Sequence, residues 1–317
     1  MSRSGEFELI ERLLAPLAGE GAFSLTDDAA VLPKLAHGEA WVATKDAMVE
    51  GVHYLPDDPP DLVARKLVRV NLSDLAAMGA RPMGYLLAFA LSPECDDEWV
   101  AAFVDGLRTD QDIYGIALYG GDTVSTPGPV TLSLTALGRV ERGRELRRNG
   151  ARPGDAVFVS GSVGDAALGL LALQDKLRTD AAEREVLADR YRLPQPRMAL
   201  GAALVGVASA CQDVSDGLAA DLGHIARRSG IAIEVDAGLV PVSDAARDAI
   251  AAGEGLDDLP FTGGDDYELV FTAPPDAALP ESDVPVTRIG HVAPGDGVRF
   301  LSAGRELSLD AGGWRHF

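Results

Sequence analysis

Apolar positions in the first half of the chain repeat at the intervals expected of helices and strands. A helix is predicted over residues 61–78, because apolar residues recur at near-helical spacing, at Leu62, Val63, Leu67, Val70 and Leu75. Gly79 and Pro82 follow and predict its end. A second helix is predicted over 96–114, with Ser92-Pro93 as its entry signal. Short strands are predicted over the apolar or alternating runs 41–44, 86–91, 116–119 and 130–137, the third ending at Gly120-Gly121-Asp122.

The pattern changes in the middle of the chain and then restarts. Five of the ten residues from 139 to 148 are Arg, and Gly150, Pro153 and Gly154 follow them. We therefore place a domain boundary within 139–154. Beyond it, helices are predicted after turns at 161–164 and 215–217, and strands over 156–160, 209–213, 231–235 and 268–272. Each half mixes strands with helices, which predicts α/β domains.

The composition is that of a globular chain with a large core. A length of 317 residues, of which 47% are hydrophobic, predicts two packed domains. No apolar run reaches the roughly 18 residues of a membrane span, and the N-terminus lacks the apolar segment of a signal peptide. Cys95 and Cys211 are too few for a disulfide framework and are predicted to be buried free thiols. Together these features predict a cytoplasmic protein.

Six acidic clusters lie beside Gly, Ser or Thr, namely Asp27-Asp28, Asp46, Asp74, Asp122, Asp213 with Asp216, and Asp265-Asp266. Each alone could be a helix cap, a turn or a solvated face. Their recurrence, mostly at predicted strand ends, instead favours a hard-oxygen site for Mg²⁺ and bound phosphates. The net charge of −21 argues against nucleic acid as a partner, and divalent cations would offset the repulsion of an anionic nucleotide.

Other candidate residues are more ambiguous. Asn71 lies one helical turn before Asp74 and could address the same ion, whereas His53 could be a ligand contact or a core histidine. Arg148 could clamp phosphate oxygens or be a solvated charge. The turn Gly161-Ser162-Val163-Gly164-Asp165 resembles a phosphate-binding turn, although a plain strand-to-helix turn is the stronger interpretation. No P-loop, dinucleotide-binding or HExxH signature occurs, and no ligand spacing is formed by the remaining histidines His37, His224, His291 and His316.

The chain resembles the thiamine-monophosphate kinase family in a series of short blocks, in order along nearly its whole length. The most specific are Asn71-Leu72-Ser73-Asp74-Leu75-Ala76-Ala77-Met78-Gly79-Ala80 and Asp213-Val214-Ser215-Asp216-Gly217-Leu218. The other blocks are 5–7, 26–29, 44–46, 50–53, 120–123, 264–269 and the terminal His316-Phe317.

This resemblance implies the two-domain fold of aminoimidazole ribonucleotide synthetase. It implies a mixed-sheet domain over 1–145, which binds ATP and Mg²⁺ and forms a homodimer, and an α/β domain over 146–317, which completes the nucleotide and substrate site. The strands at 86–91 and 130–137 could supply the dimer interface. It also implies direct transfer of the ATP γ-phosphate to thiamine monophosphate, giving thiamine diphosphate.

The resemblance further assigns roles to individual residues. Several Mg²⁺ ions are expected at Asp28, Thr44, Lys45, Asp46, Asp74, Asp122, Asp213 and Asp216. ATP contacts are expected at Gly121, Asp122, Arg148, Ser215 and Tyr114. Contacts with the thiamine substrate are expected at His53, Asp265 and Trp314.

The chain departs from the family pattern at three places. Lys45 stands where Thr is usual, Asp265 stands where Glu is common, and Ser24-Leu25-Thr26 replaces the usual Gly before the acidic pair. A protonated lysine cannot ligate Mg²⁺ through its side chain. Lys45 could therefore replace part of the metal charge, bridging Asp122 or a phosphate, or it could contribute only its main-chain carbonyl and point to the opposite face of a strand.

A phosphate acceptor is already ionised at neutral pH, so no strong general base and no side-chain nucleophile are expected. Two other functions remain open. One is another ATP-dependent synthetase of the same fold, among which selenophosphate synthetase is disfavoured because no reactive N-terminal Cys is present. The other is a non-catalytic protein that binds divalent metal or nucleotide.

Overall fold

The computed structural model describes residues 5–309, so Trp314, His316 and Phe317 lie outside the described part. The chain divides into two compact units, Met1–Leu75 with Ala80–Gly143, and Ala76–Gly79 with Arg144–Phe317. In the described part, no helix is both long enough and apolar enough to cross a membrane. Both cysteines are buried free thiols, as predicted.

The first unit is built on a mixed sheet. Its helices are α1 (Glu6–Leu9), α2 (Pro60–Ala77, whose last two residues group with the second unit) and α3 (Asp97–Tyr114). Its strands are β1 (Glu39–Val49), β2 (Arg81–Leu91), β3 (Ala117–Ser125) and β4 (Thr131–Glu141). The strand order is β1-β4-β2-β3, with β2 and β3 parallel and the other pairs antiparallel.

The two long helices were predicted within a residue or two of their ends. Asp96 caps α3 by accepting a hydrogen bond from Trp99 N (2.9 Å), and Gly115 ends the helix in the left-handed conformation. The entry signal is therefore Asp96 rather than Ser92-Pro93. Phe103 of α3 stacks on Phe89 of β2, with 6.0 Å between ring centroids, so the helix covers one face of the sheet.

The strands of this sheet are longer than predicted. In particular β3 does not end at Gly120 but continues to Ser125, because it keeps pairing with β2 beyond a register shift at Tyr85/Leu86. Likewise β4 continues through Arg139, which binds Glu39 of β1, so the Arg-rich segment begins inside a strand. Pairing between strands decides these ends, and a single strand's apolar pattern does not record it.

The second unit contains a larger mixed sheet. Its helices are α4 (Asp165–Leu173), α5 (Ala181–Arg192), α6 (Met198–Ala203), α7 (Leu218–Ser229), α8 (Asp244–Ala252) and α9 (Leu259–Thr262). Its strands are β5 (Ala156–Ser160), β6 (Ala210–Asp213), β7 (Ala232–Asp236), β8 (Leu269–Ala273), β9 (Val286–Ala293), β10 (Gly297–Ser302) and β11 (Arg305–Glu306). The strand order is β11-β10-β7-β9-β5-β8-β6.

This sheet is buried on both faces at its centre. Val157 and Val159 of β5 lie in one apolar cluster, whereas Phe158 lies in another and stacks on Phe271 of β8 at 5.2 Å. Burial on both faces explains the continuous apolar runs that predicted β5 and β8. Helices α5, α6, α8 and α9 were not predicted; α6 and α9 have only six and four residues, α5 is rich in charged residues, and α8 is short and rich in Ala.

Candidate functional site

In the first unit, β1 and α2 hold four polar side chains against each other. Thr44 Oγ1 donates a hydrogen bond to Asp74 Oδ2 (2.5 Å), and the main-chain N–H of Asp46 donates to Asn71 Oδ1 (3.0 Å). Alternation along β1 places Thr44 and Asp46 on one face, and helical spacing places Asn71 and Asp74 on one side of α2. These four residues are called the N-terminal acidic cluster below.

The surroundings of Asp46 in this cluster disfavour its charged form. Burial, and then repulsion from Asp74, raises the pKa of the Asp46 carboxyl from 3.8 to about 6. A divalent cation would reverse both effects, because it neutralises the two carboxylates together. Carboxylate, hydroxyl and amide oxygens are the hard ligands that Mg²⁺ prefers, so the donor set fits that ion.

Lys45 lies on the other face of β1. Its Nζ donates a hydrogen bond to Ser133 Oγ on β4 (2.5 Å), and its side chain is exposed. The interpretation in which this ammonium bridges Asp122 or a phosphate is therefore not supported. The geometry is the one expected if only the main-chain carbonyl of residue 45 contributes to a metal site, and that contribution stays a prediction.

A cavity of about 160 Å³ joins two of the predicted acidic segments. Asp27 and Asp28 line it on one side, and Gly121 and Asp122 of β3 line it on the other. A Cβ on Gly121 would lie 1.7 Å from the carbonyl oxygen of Leu87, so no larger residue fits without moving a strand. The structure thus brings two segments almost a hundred positions apart to one cavity.

The turn that precedes Asp27 is strained. Phe23, Ser24 and Leu25 have φ angles of 49°, 54° and 59°. This left-handed region costs a non-glycine residue about 1–2 kcal/mol. Ser24 and Leu25, in the segment that replaces the usual Gly, therefore hold the left-handed conformation at an energetic cost.

His53 and Tyr114 have well-defined surroundings. His53 Nδ1 accepts a hydrogen bond from Val49 N (3.0 Å), so the neutral imidazole carries its proton on Nε2. Tyr114 packs under the guanidinium of Arg69, 5.5 Å from its ring centroid, and Arg69 forms a buried ion pair with Asp110. This gives Tyr114 a packing role between α2 and α3, and its predicted contact with ATP stays a prediction.

In the second unit, the two acidic loops lie directly against each other. The carbonyl of Ser215 accepts from Asp265 N (2.9 Å), and the carbonyl of Val214 accepts from Tyr267 N (2.8 Å). A Cβ on Gly264 would lie 2.5 Å from the Ser215 oxygen, which explains the small residue there. Segments 213–217 and 263–268, called the C-terminal acidic loops below, therefore form one hydrogen-bonded element.

Asp265 occupies an unusual backbone conformation. Its φ is 69° and that of Tyr267 is 53°, and the Tyr267 hydroxyl donates to Asp265 Oδ1 (3.2 Å). Left-handed conformations of such residues persist where the surrounding structure enforces them, which is common at binding sites.

Asp216 has two neighbours that the sequence analysis did not select. Ligand atoms of Asp216, Asp221 and His224 all lie within 4.8 Å of one another. The pKa of Asp221 is raised to about 7 by burial and by Asp216. The pKa of His224 is lowered by burial and by nearby Arg227 and Arg148, which places the predicted Arg148 near this group. The spacing of Asp221 and His224 on α7, three residues apart, is the sequence signal that could have found them.

The turn at 161–165 is occupied by a carboxylate of the protein. Asp266 Oδ2 accepts from Gly164 N (2.6 Å) and its Oδ1 accepts from Ala166 N (3.2 Å). These N–H groups at the start of α4 therefore bind Asp266, which agrees with a plain strand-to-helix turn. Burial raises the pKa of Asp266 to about 8, against the effect of its hydrogen bond from Gly164 and of Arg190.

Glu268 is a second buried anchor of the same loop. It receives hydrogen bonds from Ser160 Oγ (2.6 Å), Arg190 Nη2 (2.8 Å) and Arg197. Asp266 was predicted from sequence as part of an acidic cluster for Mg²⁺, whereas its oxygens accept main-chain hydrogen bonds, and Glu268 was assigned no role. Asp213 lies buried at the end of β6. The predicted contact of Trp314 with substrate concerns a residue outside the described part of the chain.

The chain matches known families over most of its length. Residues 26–140 match the family described as AIR synthase related protein, N-terminal domain, and residues 152–301 match the corresponding C-terminal domain. The chain is also 43% identical over 324 residues to thiamine-monophosphate kinase from Caulobacter vibrioides, with 98% of this chain and 90% of the relative covered.

Solved structures share its fold. Thiamine-monophosphate kinase from Stenotrophomonas maltophilia K279a is 44% identical, with a TM-score of 0.83 over 95% of this chain and 97% of that chain. AaThiL complexed with AMPPCP and TMP is 31% identical, with a TM-score of 0.81 over 99% of this chain and 97% of that chain. These findings confirm the resemblance and the two-domain α/β fold predicted from sequence.

Proposed function

The chain belongs to the thiamine-monophosphate kinase family, and from this premise we propose that it transfers the γ-phosphate of ATP to thiamine monophosphate, forming thiamine diphosphate in thiamine diphosphate biosynthesis. The observation that carries the proposal is the full-length similarity to AaThiL, whose solved structure is complexed with AMPPCP and TMP. AMPPCP is an ATP analogue, so these ligands correspond to the two proposed substrates.

Mg²⁺ is the metal that the donor atoms favour. The proposed ligands are acidic or hydroxyl side chains and one main-chain carbonyl, at Asp28, Thr44, Lys45 (carbonyl), Asp46, Asp74, Asp122, Asp213 and Asp216. When bound, such ions supply positive charge that offsets the repulsion between two phosphate groups. The raised pKa of Asp46 supports this assignment, because burial and the neighbouring Asp74 carboxylate both disfavour its charged form, and a divalent cation would offset both effects.

The side chains of the chain bind and orient the two anions. Gly121, Arg148 and Ser215 are the proposed contacts of ATP, together with Asp122 and Tyr114. His53 and Asp265 are the proposed contacts of thiamine monophosphate, together with Trp314. A neutral His53 carries its proton on Nε2 and can donate it in a hydrogen bond to a phosphate oxygen. The acceptor oxygen is already ionised, so in-line transfer requires positioning and no side-chain base.

A homodimer is the proposed assembly, with a second copy of the chain on the open face of the first sheet. This face carries the row formed by Lys45, Thr135 and Leu86, in register across β1, β4 and β2. Trp41, Leu86 and Val124 are 36%, 40% and 49% exposed on its strands. Apolar side chains on an exposed sheet face are typical of an interface.

A cytoplasmic location is the expectation that accompanies this activity. Both cysteines are buried free thiols, which agrees with a reducing compartment. Fractionation of cells that produce the chain would test it, and recovery in an oxidising compartment would contradict it.

A coupled assay tests the function against its alternatives. Purified chain with Mg-ATP and thiamine monophosphate should form thiamine diphosphate and ADP in equal amounts. AMP as the product would indicate pyrophosphoryl transfer. ATP consumption with another acceptor would favour a synthetase of the same fold, and nucleotide binding without turnover would favour a non-catalytic binding protein.

A further inference from the structure

The side chain of Asp221 binds the main chain of the acidic turn that begins α7. Its Oδ2 accepts hydrogen bonds from the N–H groups of Ser215 (3.0 Å), Asp216 (3.0 Å) and Gly217 (3.2 Å). Three successive N–H groups that converge on one oxygen form an anion-binding concavity, which here is filled by a carboxylate of the chain itself. The side chain is 1% exposed, so water does not compete for these bonds.

The second oxygen of Asp221 is also engaged. Gln212 Nε2 donates to Asp221 Oδ1 (2.5 Å), and Gln212 is itself buried. The carboxylate therefore connects the end of β6, just before Asp213, with the turn that carries Ser215 and Asp216. Gln212 Oε1 is a buried acceptor without a hydrogen-bond partner, so rotation of the amide would break no bond at Oε1 and would turn this acceptor toward residue 221.

The position of this turn also fixes the position of the neighbouring loop. The carbonyl of Ser215 accepts from Asp265 N, and a Cβ on Gly217 would lie 2.7 Å from the carbonyl oxygen of Thr262. A shift of the turn would therefore move Asp265 as well. The four hydrogen bonds to Asp221 fix the backbone from which the proposed metal, ATP and substrate contacts of this unit project.

We propose that Asp221 is a positioning residue, which holds Ser215 and Asp216 in the conformation that binds Mg-nucleotide and does so through main-chain hydrogen bonds. This inference rests on the proposed function for the identity of the nucleotide. Asp221 is not proposed as a metal ligand, because both of its oxygens already accept hydrogen bonds within the chain.

The test compares Asp221→Ala with Asp221→Asn by titrating Mg-AMPPCP binding calorimetrically. Asp221→Ala leaves buried N–H groups without an acceptor, and we expect binding to weaken about tenfold or more. The concentration of Mg²⁺ at half-maximal binding should rise as well. Asp221→Asn keeps one acceptor oxygen for the three N–H groups, and a rotated Gln212 can accept from its new amide. We therefore expect binding within about threefold of wild type.

Two controls separate positioning from general stability. Ile225 lies in the core on the same helix. Ile225→Val should lower the melting temperature without changing the Mg²⁺ dependence of Mg-AMPPCP binding. Gln212→Leu should be mild with Asp221 present but severe combined with Asp221→Asn, because the asparagine then has no partner to orient it. If Asp221→Ala does not fold, the comparison of Gln212→Leu alone with Gln212→Leu combined with Asp221→Asn tests the positioning role of residue 221.

Wild-type binding of Mg-AMPPCP by Asp221→Ala would overturn the proposal. Equal loss in Asp221→Asn and Asp221→Ala would also overturn it, because the charge rather than the geometry would then matter. A wild-type chain that binds Mg-AMPPCP but forms no thiamine diphosphate would refute the proposed function alone and leave this comparison valid. A wild-type chain that binds no Mg-AMPPCP would refute both.

Discussion

At the scale of single residues, the surroundings of each carboxylate decide what it does. Asp221 accepts hydrogen bonds from three successive main-chain N–H groups, and Asp266 accepts from the N–H groups of Gly164 and Ala166. This use of their oxygens makes both carboxylates anchors of the backbone. Asp46 has a second carboxylate, Asp74, as its neighbour, and its pKa is raised to about 6. A carboxylate in the second situation is poised to bind a cation.

Asp74→Asn should strongly lower activity and keep the fold. The amide oxygen can still accept from Thr44, but one negative charge toward the metal is lost. We expect kcat/KM to fall about 10²-fold, about 3 kcal/mol, as for loss of one preorganised electrostatic contact. Steady-state kinetics and circular dichroism would measure both. Asp105→Asn, an exposed carboxylate on α3, is the matched control, and an active Asp74→Asn enzyme at ordinary Mg²⁺ would contradict a metal role.

The pKa of Asp46 predicts how stability depends on pH in the metal-free chain. The pKa of this carboxyl is about 3.8 in the unfolded chain and about 6 in the folded chain, so the folded state favours its protonated form. Its stabilising contribution is present below about pH 4 and is lost as the pH rises through about 6. The free energy of unfolding of Asp46→Asn should therefore exceed that of wild type by up to about 3 kcal/mol at pH 7.5, but by little at pH 4.

Urea unfolding in EDTA at the two pH values would measure this difference. Taking variant minus wild type cancels the titration of groups elsewhere in the chain. Asp105→Asn serves again as the control and should show no such change between pH 4 and pH 7.5. An equal effect of Asp46→Asn at both pH values would show that its carboxyl titrates normally.

Lys45→Thr should leave the Mg²⁺ requirement unchanged. The ammonium group lies on the face of β1 opposite to Thr44 and Asp46 and binds Ser133. The substitution therefore does not alter the charge on the face that carries the N-terminal acidic cluster. The free Mg²⁺ that gives half-maximal activity would be measured for both proteins. A clear shift would revive the idea that this lysine replaces metal charge.

At the scale of elements, close backbone approaches fix the segments that carry the candidate residues. Gly121 lies against the carbonyl of Leu87 inside the sheet, and Gly264 lies against the carbonyl of Ser215 between the C-terminal acidic loops. Residues without a side chain permit these contacts, and the acidic residue that follows each glycine is thereby held in place. The glycines beside the aspartates thus contribute packing as well as turn geometry.

Gly121→Ala should destabilise the first unit and widen or distort the cavity beside it. The added Cβ would lie 1.7 Å from a strand carbonyl, so the β2–β3 pair must separate. We expect a loss of at least about 1–3 kcal/mol in unfolding free energy, together with weaker nucleotide binding. Gly128→Ala, in the turn before β4, is the matched control because its nearest contact is 3.6 Å away. Equal stability of the two variants would show that β3 is not held as described.

At the scale of the whole molecule, the chain consists of two units that each have their own sheet. The open face of the first sheet carries the exposed apolar side chains Trp41, Leu86 and Val124 together with Lys45, and we have proposed that a second copy covers it. The net charge of −21 opposes association, so an interface must bury apolar area to overcome it.

Light scattering at micromolar concentration should report about twice the chain mass of 33.2 kDa. Leu86→Lys places a charge on the open face and should yield monomers, because an unpaired charge in an apolar interface is costly. Ile113→Lys changes an apolar residue on α3 that is 55% exposed, against 40% for Leu86, and this variant should remain dimeric. A wild-type species of 33.2 kDa would refute the dimer.

Local sequence pattern determined the long helices, the central strands, the fold class and the family. Helix α2 and strand β5 were predictable because apolar spacing and burial on both faces are recorded in consecutive residues. The acidic residues beside glycine likewise pointed to metal and phosphate chemistry, because that chemistry needs particular side chains on tight turns.

Only the tertiary structure decided which aspartates anchor the backbone and which face of β1 carries Lys45. Asp266 accepts from Gly164, 102 positions away, and Asp265 beside it takes a left-handed conformation that no local pattern predicts. For Asp46 and Asp266, burial and charge neighbours arise from contacts distant in sequence. Those contacts set the raised pKa values of these two carboxyl groups and distinguish them from carboxyl groups of the same chemical type elsewhere in the chain.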